Sequence, residues 1–406
     1  MFFSFVKSKS VPIFNRHKKI TNHLAMYDNL SYWEKKNFFH ADVIIVGTGI
    51  VGLNAAIEIK SLAPKISVLV LERGFFPSGA STKNAGFACF GSISELIEQE
   101  KLSGTDGLHS LISKRWKGLL KLRNLLGDEQ ISYQNNGGFE LFRPQQANLT
   151  EKCVAKLSHF NTLIEDIVLQ KDVYGQVDHR IDKFGFKGID ALIECRLEAQ
   201  IDPGMMMKAL LAKATAMGVQ VMNCCKVEEL VRANDKIDLK TDQGTFTCKK
   251  VLLTTNAFIN ELLPDLAVVP GRGQVVVTKP IPNLKVKGTF HYDLGYYYFR
   301  NIDDRILLGG ARNLDIKAEE TTYFGETVAV QQALHNLLKE VILPATHFEI
   351  AHKWSGIMAF GPKLAPIVEE VKPNIFCAVR CNGMGIAIGS QTGQEAGEMV
   401  FRSLDN

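Results

Sequence analysis

Residues 42–56, DVIIVGTGIVGLNAA, decide the fold, because an apolar run there breaks at three glycines and then resumes with helical spacing. The run at 42–46 is short and β-branched, which is typical of a strand buried on both faces. Gly47 permits a sharp turn, Gly49 lets a diphosphate approach the backbone, and Gly52 lets the following helix pack on the strand. The stretch therefore predicts a strand, a turn and a helix whose first amides receive phosphate oxygens.

An acidic residue follows at the distance that this interpretation requires. A second predicted strand, residues 67–71, ends in Glu72, twenty residues after Gly52. An acidic side chain at that spacing binds the hydroxyls of a ribose. Glycines also collect in ordinary turns, but here strand, glycines, helix and acid fall in one register, and this favours a dinucleotide-binding unit over a purely structural turn.

Composition limits the class of protein. With 406 residues, 46% hydrophobic and 22% charged, the chain suits a globular protein of two domains. No window is long and uncharged enough to span a bilayer. The formal net charge is +4, but residues 1–25 hold five basic residues and no acid, so the rest of the chain carries −1. We therefore expect no nucleic-acid partner and no transmembrane segment.

The basic leader is open to two interpretations. It could direct the chain to mitochondria, although targeting segments are usually richer in arginine than this one. It could also be a tail, or precede a true start at Met26. We favour the second interpretation and treat residues 1–40 as a partly disordered N-terminal extension. The eight cysteines form no CxxC and fit neither a zinc site nor a disulfide framework, so we expect no metal and a cytoplasmic location.

Secondary-structure patterns along the chain alternate between segments of a nucleotide-binding domain and segments of a second domain. Helices are predicted at 93–127, 150–170, 203–218, 325–343 and 390–402, and strands at 138–142, 219–222, 251–255 and 375–379. A small antiparallel meander is predicted within 226–247, and an alternating antiparallel sheet from Arg272 through strands 274–278, 289–292, 296–300 and 306–309. The prediction is an α/β fold, α+β overall, with a Rossmann-like nucleotide-binding domain (41–93, 198–272 and 352–406) interleaved with an antiparallel-sheet substrate domain (94–197 and 273–351).

Eight short motifs together resemble one family. They are GTGIVG at 47–52, LERG at 71–74, GASTKNAGFA at 79–88, a valine strand at 226–230, TTNAF at 254–258, GRGQ at 271–274, YYFR at 297–300 and NGMGIAIG at 382–389. In this order, from Asp42 to the C-terminus, they are similar to the FAD-dependent oxidoreductases of the D-amino-acid oxidase type, which include glycine oxidase, sarcosine oxidase and γ-glutamylputrescine oxidase.

The resemblance implies a set of FAD contacts. Gly47, Gly49, Ile50, Val51 and Gly52 would face the diphosphate, Glu72 and Arg73 the adenosine ribose, and Val227 the adenine, with Thr255 and Asn256 in the TTNAF segment. Ser81, Thr82, Lys83, Asn84, Ala85 and Gly86 would follow the cofactor from the diphosphate to the flavin ring. Gly383, Met384, Gly385 and Ile386 would place backbone amides against the pyrimidine end of the ring, where negative charge develops on reduction.

Departures from the family pattern refine these expectations. Asn84 stands where some relatives attach flavin through a histidine, and residues 356–360 contain no cysteine, so we predict non-covalent FAD. Met358 stands where amino-acid oxidases of the family often place a carboxylate-binding arginine, which weakens the case for an amino-acid substrate. Leu307 stands where some oxidases carry a lysine that promotes reaction with oxygen, so the electron acceptor could be O2 or another acceptor.

The substrate pocket is the least determined part. Its candidates are Tyr298, Arg300, His291 and Trp354. Side chains alternate along a strand, so Tyr298 and Arg300 share one face and Phe299 the other. We expect His291 to be structural, because no carboxylate partner stands at a suggestive spacing.

The resulting hypothesis is an enzyme that oxidises the C–N bond of a small-molecule amine or amino acid by hydride transfer to flavin N5, giving an imine that hydrolyses. The alternatives are an FAD-dependent hydroxy-acid dehydrogenase and a non-catalytic flavin-binding module that serves a partner.

Overall fold

A computed structural model of the chain describes residues 30–233 and 235–404, and the basic leader falls outside them. The strands are β1 His40–Val46, β2 Val68–Leu71, β3 Phe87–Ala88, β4 Gly138–Phe142, β5 Tyr174–Gln176, β6 Ala191–Cys195, β7 Ala199–Gln200, β8 Gln220–Met222, β9 Val227–Ala233, β10 Lys236–Thr241, β11 Gly244–Leu253, β12 Val269–Thr278, β13 Thr289–Tyr292, β14 Tyr297–Ile302, β15 Arg305–Gly310, β16 Ile350–Phe360, β17 Ile367–Lys372 and β18 Ile375–Val379. The helices are α1 Tyr32–Phe38, α2 Ile50–Leu62, α3 Ala80–Lys83, α4 Ile93–Leu126, α5 Ala147–Val168, α6 Ile181–Phe184, α7 Pro203–Ala216, α8 Val328–Leu337 and α9 Gly385–Arg402.

The first sheet has eight strands and is built around β1. Its main path runs β17-β18-β11-β1-β2-β8, and β9 and β10 join it through β11. β1 pairs in parallel with β2 and β11, β2 with β8, and β11 with β18, whereas the meander β9-β10-β11 is antiparallel. The predicted βαβ unit and meander are therefore confirmed, and the carboxyl ends of β1, β2 and β11 lie at one edge of the sheet.

The β-branched run of β1 is buried on both faces. Val43 and Ile45 pack in one core cluster with α2, while Ile44 and Val46 pack in a second cluster with residues of the meander. Burial on both faces is what makes the run continuously apolar instead of alternating. β1 is thus held from both sides, and the glycine turn that follows it begins from a rigid strand.

The second sheet also has eight strands, in the order β16-β12-β15-β14-β13-β4-β6-β5. Only β13 and β4 run parallel among these neighbours; the other pairs are antiparallel. One face carries a core of stacked aromatics, with the Phe290 and Phe299 rings 4.8 Å apart and parallel within 7°. Phe299 therefore points away from Tyr298 and Arg300, as the strand alternation predicts.

Two predictions about boundaries differ from the structure. The divisions at 272/273 and 351/352 fall inside β12 and β16, which are neighbours in the second sheet. Periodicity does not show which sheet a strand joins, so both strands are assigned to the second sheet here. The last helix begins at Gly385 and not at Ser390, because its glycines serve close helix packing and not an extended loop. In the described part of the chain, no helix combines the length and apolarity that a membrane crossing requires.

Candidate active site

A cavity of about 540 Å³ lies where the two sheets meet. Val46, Leu71 and Thr254 line it at the carboxyl ends of β1, β2 and β11. Val275 and Tyr298 line it from the second sheet. Ligands of open α/β sheets bind outside the carboxyl ends of the strands, so the cavity lies where a nucleotide is expected.

The glycine turn after β1 forms one end of this cavity. Gly47 has a φ of +108°, and its amide donates to the Leu71 carbonyl at 2.8 Å. A Cβ at Gly52 would lie 2.1 Å from the Gly47 oxygen and 2.6 Å from the hydroxyl of Thr254. That hydroxyl donates to the carbonyls of Val46 and Gly47. The turn therefore requires the absence of side chains at two of its glycines.

Glu72 is fixed beside this turn. Its Oε2 accepts hydrogen bonds from the Thr48 amide at 3.2 Å and the Thr48 hydroxyl at 2.5 Å, and its Oε1 accepts from the Gly74 amide at 2.9 Å. The carboxylate is buried and lines the cavity. A carboxylate held in this way keeps lone pairs for the hydroxyls of a sugar.

Two helix N-termini open onto the cavity, those of α2 and α9. The helices pack closely because glycines recur every four residues along α9: a Cβ at Gly389 would lie 2.7 Å from Ile50, and one at Gly393 2.6 Å from the Val51 carbonyl. Gly397 continues this row against α2. Helix N-termini carry free amides and partial positive charge, which suits anionic groups of a ligand.

The short helix α3 and the loop after it line the cavity between these helices. Ser81 Oγ accepts a hydrogen bond from the Ile50 amide at 3.0 Å. Asn84 closes the loop: its side-chain nitrogen donates to the Ser81 carbonyl, and its oxygen accepts from the Gly86 amide at 2.8 Å. A Cβ at Gly86 would lie 2.3 Å from the Ile201 carbonyl. The loop is thus rigid, and Asn84 has a structural role as a turn residue.

The second sheet supplies the opposite end of the cavity. Tyr298 lies flat over Gly309, where a Cβ would come within 2.6 Å of the tyrosine ring. Burial raises the pKa of Tyr298 to about 12, although the charge of Arg312 acts in the other direction. Its phenol therefore stays protonated at neutral pH. Met358 and Phe360 also line this end, which is largely apolar.

His291 has a carboxylate partner, contrary to the expectation from sequence. Its Nε2 lies 3.1 Å from Glu198 Oε2, and both side chains are buried. Burial, the largest single effect, would lower the pKa of His291, but the charge and hydrogen bond of Glu198, together with the charges of Glu95 and Glu140, raise this pKa to about 9. The pair is a buried ion pair at the cavity wall. Glu198 lies 93 residues away in sequence, and for this reason spacing could not reveal it.

Further titratable groups surround this ion pair. Glu140 lies opposite His291 in the pairing of β4 with β13. Burial raises the pKa of Glu140 to about 7, although two hydrogen bonds from Ser94 act to lower it. The Cys89 sulfur, a Glu198 oxygen and a His291 nitrogen lie within 4.8 Å of one another. Burial raises the pKa of Cys89 well above its usual range, so the thiol is neutral, and a neutral thiol is a poor metal ligand.

The predicted contact residues fall into two groups. All the predicted cofactor residues except Gly52 and Thr82 line the cavity: Gly47, Gly49, Ile50, Val51, Glu72, Arg73, Ser81, Lys83, Asn84, Ala85, Gly86, Val227, Thr255, Asn256, Gly383, Met384, Gly385 and Ile386. Of the four substrate-pocket candidates, Tyr298 and His291 line it, whereas Arg300 and Trp354 do not.

Arg300 and Trp354 lie outside the lining of the cavity. Arg300 is buried behind Gly86, and burial lowers its pKa to about 10. Trp354 donates through its indole nitrogen to the Lys83 carbonyl at 2.9 Å and packs beneath the Asn84 loop. Both side chains support the wall from outside. Strand alternation identified the correct face of β14 but could not show that the segments around Gly86 and Ile201, which flank the paired strands β3 and β7, cover part of that face.

The cavity-lining residues that were not predicted include Glu95, Gln99 and Arg115. They lie on α4, whose pattern appears in sequence as an ordinary amphipathic helix. Arg115 is fully buried and donates to the Phe90 carbonyl at 2.8 Å and to Gln99 Oε1 at 2.9 Å. The sequence feature that could have drawn attention to this helix is an arginine at a position where the helical pattern predicts a core residue.

With this geometry established, comparison with known proteins identifies the class. The family model for FAD dependent oxidoreductases, DAO, matches residues 42–399. The chain therefore belongs to the DAO family of FAD-dependent oxidoreductases, and it is an FAD-dependent oxidoreductase with a mixed α/β fold.

Individual relatives are distant. A probable oxidoreductase OrdL of Haemophilus influenzae is 22% identical over 394 residues, which is 89% of this chain and 83% of the relative. The bifunctional protein ThiO/ThiG of Synechocystis is 27% identical over 244 residues, or 59% of this chain and 33% of that protein. Glycine oxidase from Geobacillus kaustophilus superposes with a TM-score of 0.71 at 19% identity, over 90% of this chain and 95% of that chain. L-proline dehydrogenase from P. horikoshii gives 0.68 at 16% identity, over 89% and 92%. At these identities the structures show a shared fold alone.

The cavity fits FAD on its own geometry. The crowded glycine turn excludes side chains where a diphosphate needs backbone contact, and the fixed Glu72 carboxylate lies beside it. The second helix N-terminus, at Met384 and Gly385, lines the same cavity with Tyr298. The residues present can therefore hold a dinucleotide at one end and leave room beside the second sheet for a small substrate.

Proposed function

We propose that the chain oxidises the C–N bond of a small amine or amino acid, using non-covalently bound FAD. The observation that supports this most is the continuity of the cavity from the glycine turn at Gly47 to the largely apolar wall around Tyr298 and Met358. One cavity then accommodates the cofactor and a substrate side by side. The names of several structural neighbours, glycine oxidase and L-proline dehydrogenase among them, agree with an amine or amino acid as substrate.

The bound FAD would supply the electron sink, accepting a hydride at N5. The chain's own residues would hold and orient this cofactor. The α2 N-terminus and the turn at Gly49 would receive the diphosphate, and Glu72 would receive ribose hydroxyls. The first turn of α9, at Gly385, presents amides and partial positive charge where the ring would gain negative charge. Asn84 and Trp354 keep the intervening loop rigid.

The substrate end acts by position and by exclusion of water. Met358, Phe360 and Phe87 line it with apolar surface, and Tyr298 offers a neutral hydroxyl. A desolvated pocket favours the neutral amine over the ammonium form, and the neutral amine has the lone pair that C–N oxidation requires. Such chemistry depends on proximity more than on a strong side-chain base. The resulting imine would leave and be hydrolysed by water.

Anaerobic flavin bleaching tests this proposal. The purified yellow protein is mixed with primary amines, secondary amines, D- and L-amino acids, and hydroxy acids, and absorbance near the flavin maximum is followed, with dithionite as the control for a reducible flavin. We expect bleaching by at least one amine or amino acid. A flavin that dithionite reduces but no compound of the panel bleaches would refute the proposal, and bleaching only by hydroxy acids would replace it with that alternative.

Denaturation tests the mode of cofactor attachment. Acid precipitation should release the yellow colour into the supernatant, because no histidine or cysteine stands at the expected attachment positions. Colour that stays with the precipitated polypeptide would contradict non-covalent binding.

A further inference from the structure

One wall of the cavity comes from α4, which contributes Glu95, Gln99 and Arg115. The helix bends at Gly104, where φ is +71°. This bend brings Arg115 back to Gln99, 16 residues away in sequence, and the guanidinium donates to the Gln99 side chain at 2.9 Å and to the Phe90 carbonyl at 2.8 Å. Two polar side chains of this wall therefore bind each other, and Glu95 remains for a ligand.

The Glu95 carboxylate uses one of its two oxygens within the protein. Oε2 accepts hydrogen bonds from the amide and the hydroxyl of Ser92, at 3.0 and 3.1 Å, and so caps the first turn of α4. Within residues 30–233 and 235–404, no group donates a hydrogen bond to Oε1. Oε1 faces the loop between β13 and β14, where a Cβ at Gly295 would lie 3.2 Å from it. Glu95 is thus a fixed carboxylate with one free acceptor at the cavity.

The charges around Glu95 favour a cationic ligand. Glu95 is close enough to two cations, Arg115 and His291, for its charge to act on both. The carboxyl groups of Glu198 and Glu140 also act on His291, and burial raises the pKa of Glu140 to about 7. Above that pH, three carboxylates and two cations leave one negative charge. Glu198 Oε1 is buried and, in the described part of the chain, also has no hydrogen-bond donor. An ammonium group supplies three donors and a positive charge.

This end of the cavity is continuous with the wall at Tyr298. The Phe87 ring lies edge-on to Tyr298 and to His291, with ring centres 5.7 Å and 5.4 Å apart, and all three side chains line the cavity. Tyr296 also lines it and is 40% exposed. An aromatic ring near a carboxylate suits an ammonium group. A substrate with its reacting nitrogen beside Tyr298 would extend past Phe87 towards Glu95.

We propose that Glu95 is a specificity-determining residue that binds a second, positively charged nitrogen of the substrate, with the Tyr296 ring beside it. The substrate class is thereby narrowed to diamines, in which one nitrogen reacts as the neutral amine while the distal nitrogen stays an ammonium group. This inference rests on the proposed function, because it assigns the substrate of the same cavity.

Binding of a cation without turnover tests the inference. Choline and its neutral isostere 3,3-dimethylbutan-1-ol are titrated anaerobically into the yellow holoprotein, and dissociation constants are read from the perturbation of the flavin spectrum. The quaternary nitrogen of choline has no lone pair, so its C–N bonds are not oxidised. We expect choline to bind the unaltered protein roughly 10-fold more tightly than the isostere. Glu95→Gln should abolish this preference, because glutamine keeps an acceptor for Ser92 and loses only the charge.

The matched control is Glu98→Gln, which removes an exposed carboxylate on the same helix that pairs with Lys101 and does not line the cavity. It should keep the preference for choline. If Glu95→Gln loses its flavin, Tyr296→Leu is the second variant, and loss of the ring should lower the preference roughly 2- to 5-fold. The inference is overturned if choline and the isostere bind the unaltered protein equally, or if Glu95→Gln retains the preference.

Anaerobic flavin reduction tests the substrate class. The limiting rate constant divided by the dissociation constant is measured for 1,4-diaminobutane and 1,5-diaminopentane, and for the amino alcohols in which a hydroxyl replaces the second nitrogen. We expect at least one diamine to exceed its amino alcohol roughly 10-fold, and Glu95→Gln to lower the value for the diamine alone. Equal values within both pairs would overturn the inference while the proposed function stands. A flavin that no amine reduces, with the preference for choline intact, would refute the proposed function and leave the cation site supported.

Discussion

The buried ion pair between His291 and Glu198 gives a prediction that can be worked out numerically. The pKa of His291 is about 9 in the folded chain against 6.5 ordinarily, a difference of 2.5 pH units. At 1.36 kcal/mol per unit this corresponds to about 3 kcal/mol of stability. Because the folded-state pKa is the raised one, the contribution is fully present below pH 6.5 and is lost as pH rises towards 9.

Glu198→Gln removes the charge and keeps the shape. Shape matters because Glu198 packs directly against Gly138, where no Cβ would fit. Without the carboxylate, burial lowers the pKa of His291 and the imidazole becomes neutral at pH 7. We expect the free energy of unfolding to fall by about 3 kcal/mol near pH 6.5, and the difference from the unaltered protein to vanish by about pH 9.

Thermal unfolding midpoints measured from pH 6.5 to 9.5 provide the assay, and NMR of ring-labelled histidine provides the pKa directly. The control is Asp166→Asn, which removes the partner of the surface-exposed His109 at 3.0 Å and should change little, since exposed pairs contribute about 0–1 kcal/mol. Glu140, Glu95 and Cys89 also lie close to His291, but Glu140 titrates near pH 7 and so changes the stability mainly below that pH. Parallel stability curves for Glu198→Gln and the unaltered protein over this range would refute the reasoning.

Three further changes have definite expected outcomes. Gly52→Ala should reduce the flavin bound per polypeptide after gel filtration, because its Cβ would lie 2.1 Å from the Gly47 oxygen; full flavin content would show that the turn can adapt. Trp354→Phe removes the hydrogen bond to the Lys83 carbonyl and should cost about 1 kcal/mol in denaturant unfolding, so an unchanged midpoint would argue against its supporting role. Glu140 has a folded-state pKa of about 7, raised from 4.5, so its contribution to stability falls as pH rises from 4.5 to 7; Glu140→Gln should remove this slope, and a slope that persists would assign it elsewhere.

Much of the fold could be predicted because it depends on local patterns. The strand, glycine turn and helix at 42–56, the meander of β9–β11 and the alternating strands of the second sheet each express a periodicity within a few residues. The sheet membership of β12 and β16 could not be predicted, because an apolar strand pattern fits either sheet. The close packing of α9 on α2 was missed for a similar reason: its spaced glycines resemble a loop until the partner helix is known.

The sequence by itself determined the nucleotide end of this protein, because backbone conformation at Gly47 and Gly52 and an acid at a fixed distance are short-range requirements. The substrate end was decided by tertiary structure. Glu198 meets His291 across 93 residues, and of Arg300 and Arg312 only Arg312 lines the cavity, while Arg300 lies behind Gly86. Such contacts depend on how the two sheets pack against each other. A pattern along the sequence does not show which distant residues this packing brings together.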